Sequence, residues 1–367
     1  MLVKLKDVAY LVNDRRERRS DDVNHFVSTE NLLSDRRGVS FPASTSPKSK
    51  YVHAYTKGDI LISNIRPYFK KIWKATFDGT RSADVLCFRS SAKELSQDYL
   101  YVLLESESFF NYVTKTAKGT KMPRGDKSAI LEFEFNLPSL KIQKEISHQI
   151  ISIEKKIRLN EQINDNLLEF LDAIFVKKFL NSYKQKDTIS DFAEITRGAS
   201  PRPISKYIVP TGRPWVKISD VTSLTSPFLS ETKEYISEEG IQNSRTVEPG
   251  DLILSNSATP GIPIFMDLEA SVHDGWLIIR NLKMISKEWL YLYFRQMRKQ
   301  LVAQSNGSVF NNLKTQIVKD FPMPLITQAE VDNFQQIVAP IFGDLKVLHH
   351  ENIQLKEIRD CLLSRYF

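Results

Sequence analysis

Two long stretches of the chain place apolar residues alternately four and three positions apart, the spacing of a helix that packs along a partner helix. The first stretch lies within residues 139–197, a segment without Gly or Pro. Its stripe consists of Ile146, Ile150, Ile153, Ile157, Asn160, Asn164, Leu167, Leu171 and Ile174. A helix of ~38 residues would be ~57 Å long. The pattern favours a coiled coil over the alternative, an ordinary helix in a domain core.

Two asparagines, Asn160 and Asn164, stand in the middle of this stripe, and Asn352 stands in the second stripe. A buried Asn in a coiled-coil seam lowers stability but can fix register and orientation. The three residues are therefore candidates for setting the register of the coil. A second arrangement stays open, in which the asparagines lie beside the seam and are solvated.

The second stripe lies in the C-terminal part of the chain and follows the same spacing. It consists of Phe334, Val338, Ile341, Leu345, Leu348, Asn352 and Leu355. Pro340 and Gly343 fall inside it. Because proline removes a backbone donor and clashes with the preceding turn, we expect a break or kink there, before the last helix.

Short sequences from the first half of the chain return in the second half in the same order. Residues 58–64 (GDILISN) return at 250–256 (GDLILSN), and residues 95–101 (LSQDYLY) return at 285–291 (ISKEWLY). A segment that ends at Pro138 and is followed by Gln143 matches one that ends at Pro324 and is followed by Gln328. The sequence therefore predicts two copies of one unit of roughly 185 residues.

Each copy mixes predicted strands and helices. Runs rich in Ile, Leu and Val predict strands at 59–63, 85–88, 251–255 and 276–280. Helices are predicted at 96–114 and 286–303. The expected organisation is an α+β globular domain at 1–140, a central helix at 141–186, a second domain at 187–325 and a C-terminal helix at 326–367.

The distribution of charge differs between the two copies. The chain carries 51 Lys and Arg against 44 Asp and Glu, a net charge of +7. Residues 1–140 hold 23 basic and 17 acidic residues, whereas residues 191–320 hold 15 and 14. The excess favours a polyanionic partner, either nucleic acid or an acidic membrane surface. No apolar stretch approaches the ~20 residues that cross a bilayer, so the cytoplasm is the expected location.

Residues 64–74 (NIRPYFKKIWK) alternate cations with aromatic residues. Cations neutralise phosphates, whereas guanidinium groups and aromatic faces contact bases. The candidate DNA contacts in this segment are Arg66, Lys70 and Lys71. A strand with its aromatic side chains in the core and its lysines in water would show the same pattern, so both interpretations stay open.

A Gly- and Pro-containing loop at 115–126 carries four cations. Its candidate DNA contacts are Lys118, Lys121 and Arg124. The counterpart at 304–312 offers amides and hydroxyls, which read base edges without net charge. The candidates there are Asn306, Ser308 and Asn311.

Residues 196–203 (TRGASPRP) form a third candidate, a rigid loop that carries Arg197 and Arg202. Solvated cations without a partner are the alternative for these loops, because a loop position alone does not establish function.

Motifs of catalysis and metal binding are missing from the sequence. There is no Gly-x-x-x-x-Gly-Lys-Ser/Thr loop for nucleotide phosphates and no Asn/Asp-Pro-Pro-Tyr/Phe motif of amino-methyltransferases. The six histidines show no metal-binding spacing. The two cysteines exclude a disulfide framework, and Cys87 lies in an apolar run where a buried core thiol is expected. These features argue against an enzyme and predict neither a metal nor a cofactor on this chain.

The combination of these features resembles the specificity (S) subunit of type I restriction-modification enzymes. The resemblance covers the whole chain, and the stretches that carry it are 119–124 (GTKMPR), 136–146 (NLPSLKIQKEI) and 157–168 (IRLNEQINDNLL). It implies two similar target recognition domains separated by an antiparallel coiled coil of two long helices, with a pseudo-twofold internal repeat. It also implies that each domain reads one half of a bipartite double-stranded DNA site.

The resemblance further implies partners and the place of cofactors. Two modification (methyltransferase) subunits would dock on the helices, and restriction (nuclease and translocase) subunits would complete the assembly. S-adenosylmethionine and ATP would bind those partner subunits. The chain departs from the family pattern at Pro340 and Gly343, and its second domain is nearly neutral, so contacts there would depend more on amides and hydroxyls.

Two other functions fit parts of the sequence. One is a stand-alone enzyme that cleaves or modifies DNA, which would be active without partners. The other is a coiled-coil scaffold that joins proteins and does not bind DNA. The duplicated basic loops argue against the scaffold, and the missing motifs argue against the enzyme.

Overall fold

The computed structural model describes residues 1–367 except 46, 48, 92, 182–184, 223 and 306–311. The chain forms two compact units, one of Met1–Lys156 with Gln354–Phe367 and one of Ile157–Ile353. Each unit therefore combines the strands of one copy with parts of both long helices.

The strands of the first unit form two four-stranded sheets and a small two-stranded one. One sheet has the order β2-β9-β6-β7, the second has the order β3-β5-β8-β4, and β1 pairs with β10. The bounds of these strands are β1 (Leu2–Lys4), β2 (Ala9–Leu11), β3 (Arg15–Glu17), β4 (Phe26–Val27), β5 (Tyr51–Tyr55), β6 (Ile60–Ser63), β7 (Ile72–Lys74), β8 (Gly79–Arg81), β9 (Val85–Ser90) and β10 (Glu134–Asn136).

The strands of the second unit form two five-stranded sheets and a two-stranded one. Their orders are β12-β21-β18-β19-β15, β13-β16-β14-β20-β17 and β11-β22. The bounds are β11 (Gln185–Thr188), β12 (Glu194–Arg197), β13 (Ile208–Val209), β14 (Arg213–Val216), β15 (Phe228–Leu229), β16 (Glu234–Ile236), β17 (Arg245–Val247), β18 (Leu252–Ser255), β19 (Pro263–Met266), β20 (Ala270–Val272), β21 (Trp276–Arg280) and β22 (Pro322–Pro324).

The sheet topology of the first unit returns in the second. The order β2-β9-β6-β7 returns as β12-β21-β18-β19, and β1-β10 returns as β11-β22. The order β4-β8-β5, with one parallel and one antiparallel pair, returns as β14-β20-β17 with the same directions. The predicted internal repeat is therefore confirmed as a repeat of strand pairing.

Helices are interspersed among these strands along the chain. Their bounds are α1 (Leu5–Val8), α2 (Gln97–Glu105), α3 (Glu107–Lys115), α4 (Lys127–Leu131), α5 (Leu140–Phe175), α6 (Ile189–Phe192), α7 (Ile218–Val221), α8 (Glu238–Gln242), α9 (Lys287–Ser305), α10 (Thr315–Lys319) and α11 (Gln328–Tyr366). The short helices predicted over 96–114 are confirmed as α2 and α3. Extended backbone at Ser106 ends α2, and the Ser106 hydroxyl accepts a hydrogen bond from the Phe109 N–H to begin α3. The helix predicted at 286–303 is confirmed as α9.

The repeated Gly-Asp sequence begins a buried strand in the same way in both units. Gly58 and Gly250 have φ values of 93° and 88°, which lie in the left-handed region that favours glycine. The Asp59 carboxylate accepts hydrogen bonds from the Thr56 N–H at 2.8 Å and from Arg89 Nε at 2.7 Å. Burial opposes ionisation of Asp59, but these donors outweigh it and lower its pKa. In the second unit, Asp251 forms the corresponding ion pair, with Arg280, at 2.5 Å.

A glutamine after the repeated proline segment anchors a helix start in each unit. The Gln143 amide donates to the Glu94 carbonyl at 2.6 Å, and the Gln328 amide donates to the Met284 carbonyl at 3.3 Å. Each carbonyl lies two residues before the serine that caps the following helix, Ser96 or Ser286. The sequence match between these glutamines therefore reflects a repeated contact.

The apolar stripe of α5 is buried or half-buried along its length. In the first unit, Ile146 and Ile150 belong to the domain core. In the second unit, the Phe175 ring packs 5.0 Å from Trp289 and 5.7 Å from Phe334. The stripe therefore contributes to the domain cores and also faces the other long helix, so both interpretations of its spacing are partly correct.

Helix α11 continues across Pro340 as one helix of 39 residues, so the expected break is wrong. Pro340 and Gly343 lie on the exposed side of the helix, whereas Val338, Phe342 and Leu345 are buried. Losing one hydrogen bond at a proline costs ~3 kcal/mol. Burying an aliphatic or aromatic side chain contributes ~1.5–3 kcal/mol, so the three side chains together outweigh that loss.

A buried carboxylate ends α2 in the first unit. Glu105 is fully buried, and the neighbouring groups include Glu154 and Arg359. Burial is the main cause that raises the pKa of Glu105, and the negative charge of Glu154 raises it further. The folded unit therefore retains a proton that the unfolded chain releases near pH ~4.3.

Replacing Glu105 by Gln tests this assignment. Because the pKa of Glu105 is raised on folding, the wild type loses stability as the pH rises above the unfolded value and through the folded one. We expect E105Q to raise the free energy of unfolding at pH 8 by ~1–3 kcal/mol, with a smaller gain at pH 4. Denaturant unfolding across this pH range measures the difference, and E94Q, at an exposed position, is the control for losing a carboxylate. An E105Q variant that is less stable than the wild type at pH 8 would contradict the assignment.

Candidate nucleic-acid interface

Two basic segments of the first unit lie side by side. The Arg66 N–H donates to the Pro123 carbonyl at 2.8 Å, and the Gly125 N–H donates to the Asn64 carbonyl at 3.1 Å. Lys118 and Arg124 pair across their own loop through hydrogen bonds of 2.8 and 2.9 Å. We call the combined surface, residues 66–71 with 118–124, the first basic surface.

A turn with unusual backbone geometry presents the first half of this surface. Arg66 and Lys70 have φ values of 50° and 49°, which is the left-handed region where side chains are rarely found. A short 3-10 helix, Pro67–Phe69, lies between them. Such conformations cost ~1–3 kcal/mol and persist because the surrounding structure imposes them.

The sequence of residues 64–74 fitted either a DNA-contacting surface or a strand with its aromatic side chains in the core, and the aromatic residues are divided between the two. Trp73 is buried in the core, as expected of a strand residue. Tyr68 and Phe69 are exposed, and their ring centroids lie 4.7 Å apart. These two rings therefore stand on the first basic surface next to Arg66 and Lys70.

Four cations of the first basic surface have acidic or carbonyl partners. Lys70 pairs with Glu107 at 2.5 Å, Lys118 with Asp126 at 2.5 Å and Arg124 with Asp84 at 3.2 Å. Lys71 Nζ donates to the Thr29 carbonyl at 2.7 Å, and burial lowers the pKa of Lys71. Lys121 is exposed at the tip of its loop.

Hydrogen bonding to Lys118, followed by bonds from Ser128 and Ala129, lowers the pKa of Asp126 to about 2. This carboxylate is therefore ionised at neutral pH and compensates the Lys118 charge. Lys118 is nevertheless 80% exposed, so it can exchange this partner for a phosphate.

In the second unit, two arginines meet at one carboxylate. Arg197 and Arg202 each place Nη2 3.4 Å from an Asp274 carboxylate oxygen. The Ser200 hydroxyl donates to the other oxygen at 2.9 Å. We call Arg197, Ser200, Arg202 and Asp274 the Asp274 cluster.

Burial opposes ionisation of Asp274, but the Ser200 hydrogen bond and the charges of Arg197 and Arg202 outweigh it and lower the pKa of Asp274. The carboxylate is therefore negatively charged at neutral pH. The loop predicted from its two arginines is held together by an acidic residue some seventy positions later in the chain.

The predicted contacts Asn306, Ser308 and Asn311 lie outside the described residues. The chain just beyond them is placed by a repeated contact: the Leu313 N–H donates to the Asn256 carbonyl at 2.7 Å. This bond matches the one between Gly125 and Asn64 in the first unit. In both units the chain at or just beyond the end of the candidate loop therefore returns to the asparagine that follows the repeated strand.

Sequence reasoning missed the turn that corresponds to residues 66–70. The offset of 192 between the repeated Gly-Asp sequences places Ala258 opposite Arg66. Ala258 has a φ of 56°, close to that of Arg66, and Gly261 follows with a φ of 79°. The repeat was sufficient to find this turn. Sequence reasoning also missed the carboxylates Asp84 and Asp274, because their proximity to the candidate arginines depends on tertiary structure.

The three asparagines predicted to set the register of the coil are buried in the second unit. Asn160 Nδ2 donates to Asn352 Oδ1 at 2.9 Å and to a Glu351 carboxylate oxygen at 2.7 Å. Asn352 and Asn164 are 6% and 1% exposed, so the solvated arrangement does not apply. With Phe175 beside Phe334 and Asn160 beside Asn352, α5 and α11 run antiparallel in this unit.

The structure also bears on the cysteine, metal and membrane features considered from the sequence. Cys87 is buried, as expected, and burial raises the pKa of its thiol to about 12. Among the described residues, no group of His, Cys, Asp and Glu is arranged to hold a metal ion. Within the same part of the chain, no helix is both long and apolar enough to cross a membrane.

Comparison with known proteins gives the family. The sequence pattern of the type I restriction modification DNA specificity domain matches residues 3–169 and again residues 181–357. The chain belongs to this family, whose members recognise DNA sequence and are not catalytic. It therefore carries two recognition domains, as the resemblance implied.

Individual relatives agree with the family. The chain is 22% identical to the HindI specificity subunit of Haemophilus influenzae over 398 aligned positions, which cover 85% of this chain and 86% of that protein. It is 28% identical to the EcoDI specificity subunit of Escherichia coli over 35% of this chain and 27% of that protein. The solved S subunit from M. genitalium is similar in fold, with a TM-score of 0.57 at 14% identity over 100% of this chain and 96% of that one.

Replacing Gly198 by Ala tests the position of the loop that carries Arg197, Ser200 and Arg202. A β-carbon at this position would lie 2.2 Å from the His273 carbonyl oxygen. We expect G198A to displace the loop and to lower the free energy of unfolding by ~1–3 kcal/mol. The control is G343A, because a β-carbon on Gly343 would meet no atom within 4 Å, and alanine in a helix gains ~0.5–1 kcal/mol. Equal stabilities of the two variants in denaturant unfolding would contradict this placement.

Proposed function

We propose that this chain reads a bipartite double-stranded DNA site, one half through each recognition domain, and directs partner subunits to it. The supporting observation is that the chain at or just beyond the end of each candidate loop, Gly125 or Leu313, bonds the asparagine that follows a repeated strand, Asn64 or Asn256. Two similar readers on one chain suit a site with two separate halves.

The proposed contacts in the first domain are Arg66, Lys70, Lys71, Lys118, Lys121 and Arg124. Exposed lysines such as Lys121 supply phosphate contacts, which give affinity without sequence information. Arg66 and Arg124 are the forked side chains of this surface, and they supply base contacts. Tyr68 and Phe69, which are exposed on the same surface, supply apolar contacts.

The proposed contacts in the second domain are Arg197, Arg202, Asn306, Ser308 and Asn311. Arg197 and Arg202 reach the surface from opposite ends of one loop, with 55% and 79% of their side chains exposed. Amide and hydroxyl side chains add discrimination without net charge.

We assign the domains to residues 1–140 and 187–325 and the linking segments to residues 141–186 and 326–367. The long helices in these segments fix the number of unread base pairs between the half-sites, and the buried Asn160, Asn164 and Asn352 set their register. Two modification subunits dock on these helices, and restriction subunits join the full complex. S-adenosylmethionine and ATP bind those partners, and the complex acts in the cytoplasm, where the cellular DNA is.

Replacing Lys121 and Arg124 by Ala tests the first basic surface. Removing one phosphate contact and one base contact should weaken binding at every site and relax discrimination in the first half-site, by ~1–3 kcal/mol for the base contact. Methylation-site mapping of the assembled complex measures both effects. Unchanged affinity and unchanged sites would remove this loop from the interface, and K299A, on α9, is a control for the loss of an exposed cation.

Inserting four residues after Asn164 tests the role of the helices. About one added turn of helix should change the number of unread base pairs and leave both half-sites as they are. The same site mapping measures the result. A changed half-site with an unchanged spacer would contradict the division of labour between domains and helices.

The two other functions make different predictions in the same assays. A stand-alone enzyme would cleave or methylate DNA as this chain alone, given a metal ion or a methyl donor. A scaffold would show no salt-sensitive DNA binding even with a modification subunit present.

A further inference from the structure

The Asp274 carboxylate lies beside two of the candidate contacts of the second domain, Arg197 and Arg202. Three side chains from one loop converge on it: Ser200 at 2.9 Å, and Arg197 and Arg202 at 3.4 Å each. An acidic group on a DNA-facing surface repels phosphates, so its presence there needs an explanation.

The backbone around Asp274 is held from two sides. The Asp274 carbonyl accepts Arg197 Nε at 2.8 Å and Asn256 Nδ2 at 3.1 Å. The Gly198 N–H donates to the Trp276 carbonyl at 2.9 Å, which ties the loop to the start of β21. Since Asn256 directly follows the buried strand β18, the backbone of Asp274 is fixed to the domain core.

This arrangement restricts the Arg197 guanidinium group. Its Nε bonds the Asp274 carbonyl and its Nη2 faces the Asp274 carboxylate. Arg202 also places Nη2 at that carboxylate. An arginine held by an acidic partner presents its remaining N–H groups in a set direction, which is the arrangement that bidentate binding to guanine O6 and N7 requires.

We propose that Asp274 is a positioning residue that orients Arg197 and Arg202 to read guanine edges in the second half-site, at the expense of sequence-independent affinity. This inference rests on the proposed function. Asp274 does not itself contact a base. Asp274 therefore raises discrimination between bases and lowers the affinity for DNA of any sequence.

The first domain contains a simpler version of the same arrangement. Asp84 lies 3.2 Å from the Arg124 guanidinium group, and its carbonyl accepts the Asn64 N–H at 2.8 Å. One acidic residue meets one arginine there, beside the asparagine that corresponds to Asn256. Asp84 therefore offers a matched control, whose replacement acts on the other half-site.

The experiment uses the full chain assembled with its modification subunits. The variants are D274N, S200A and D84N, and the DNA panel carries every single-base change in each half-site. Methylation rates give the discrimination at each position. Competition by DNA without a site, at two salt concentrations, gives the sequence-independent affinity.

For D274N we expect discrimination at a guanine position of the second half-site to fall roughly tenfold, the size of one good base contact. Binding to DNA without a site should rise, because a negative charge is removed. Discrimination in the first half-site should be unaffected. D84N should instead lower discrimination in the first half-site and leave the second half-site unaffected. S200A keeps the charge, so it should lower discrimination in the second half-site and leave binding to DNA without a site unchanged, and it serves as the test if D274N does not fold.

Other outcomes would overturn the proposal. Equal losses of discrimination and of general binding would mean that Asp274 only supports the fold. Increased binding with unchanged discrimination would mean that it acts through its charge alone, and no change in either would remove it from the interface. A wild-type complex without any sequence preference would instead overturn the proposed function, so the two failures are distinguishable.

Discussion

In each unit, one buried strand is fixed at its beginning by an aspartate–arginine ion pair, Asp59–Arg89 or Asp251–Arg280, and the candidate DNA-binding surface depends on where that strand ends. Removing one partner would leave an uncompensated buried charge, which is strongly destabilising. The position of the strand is therefore strongly determined. The residue that follows the strand, Asn64 or Asn256, accepts a hydrogen bond at its backbone carbonyl from the chain at or just beyond the end of the candidate loop. The hydrogen bonds to these carbonyls therefore tie the chain at the candidate loops to the core strand.

The long helices combine two roles that are usually separate. The same face of α5 supplies Ile150 and Leu171 to domain cores and the buried Asn160 to a polar contact with α11. A purely apolar face would tolerate sliding by one turn, because one aliphatic contact replaces another at little cost. The Asn160–Asn352 hydrogen bond is lost on such sliding, and two buried amides would then lack partners. The polar pair therefore specifies the alignment that the apolar residues stabilise.

Much of this structure could be predicted from the sequence, for reasons that particular residues show. Strand β21 at Trp276–Arg280 and the stripe of α5 follow from local periodicity, and the repeat of Gly58–Asn64 predicts the repeated sheet. The break at Pro340 was wrong because the burial of Phe342 and its neighbours, a tertiary effect, outweighs a local one. The partnership of Asp274 with Arg197 was missed for a similar reason: it joins residues far apart in the chain, and no spacing rule connects them.

The left-handed positions Arg66 and Ala258 have a consequence for how such domains diverge. The surrounding fold already imposes the unfavourable backbone at both places, whichever side chain is present. A change of side chain there alters what projects from the turn but leaves the strands beneath it in register. Arg66 in one domain and Ala258 in the other share this backbone conformation with very different side chains. After a gene duplication, the two halves of such a protein can acquire separate targets through a few codons, while the framework they share is conserved.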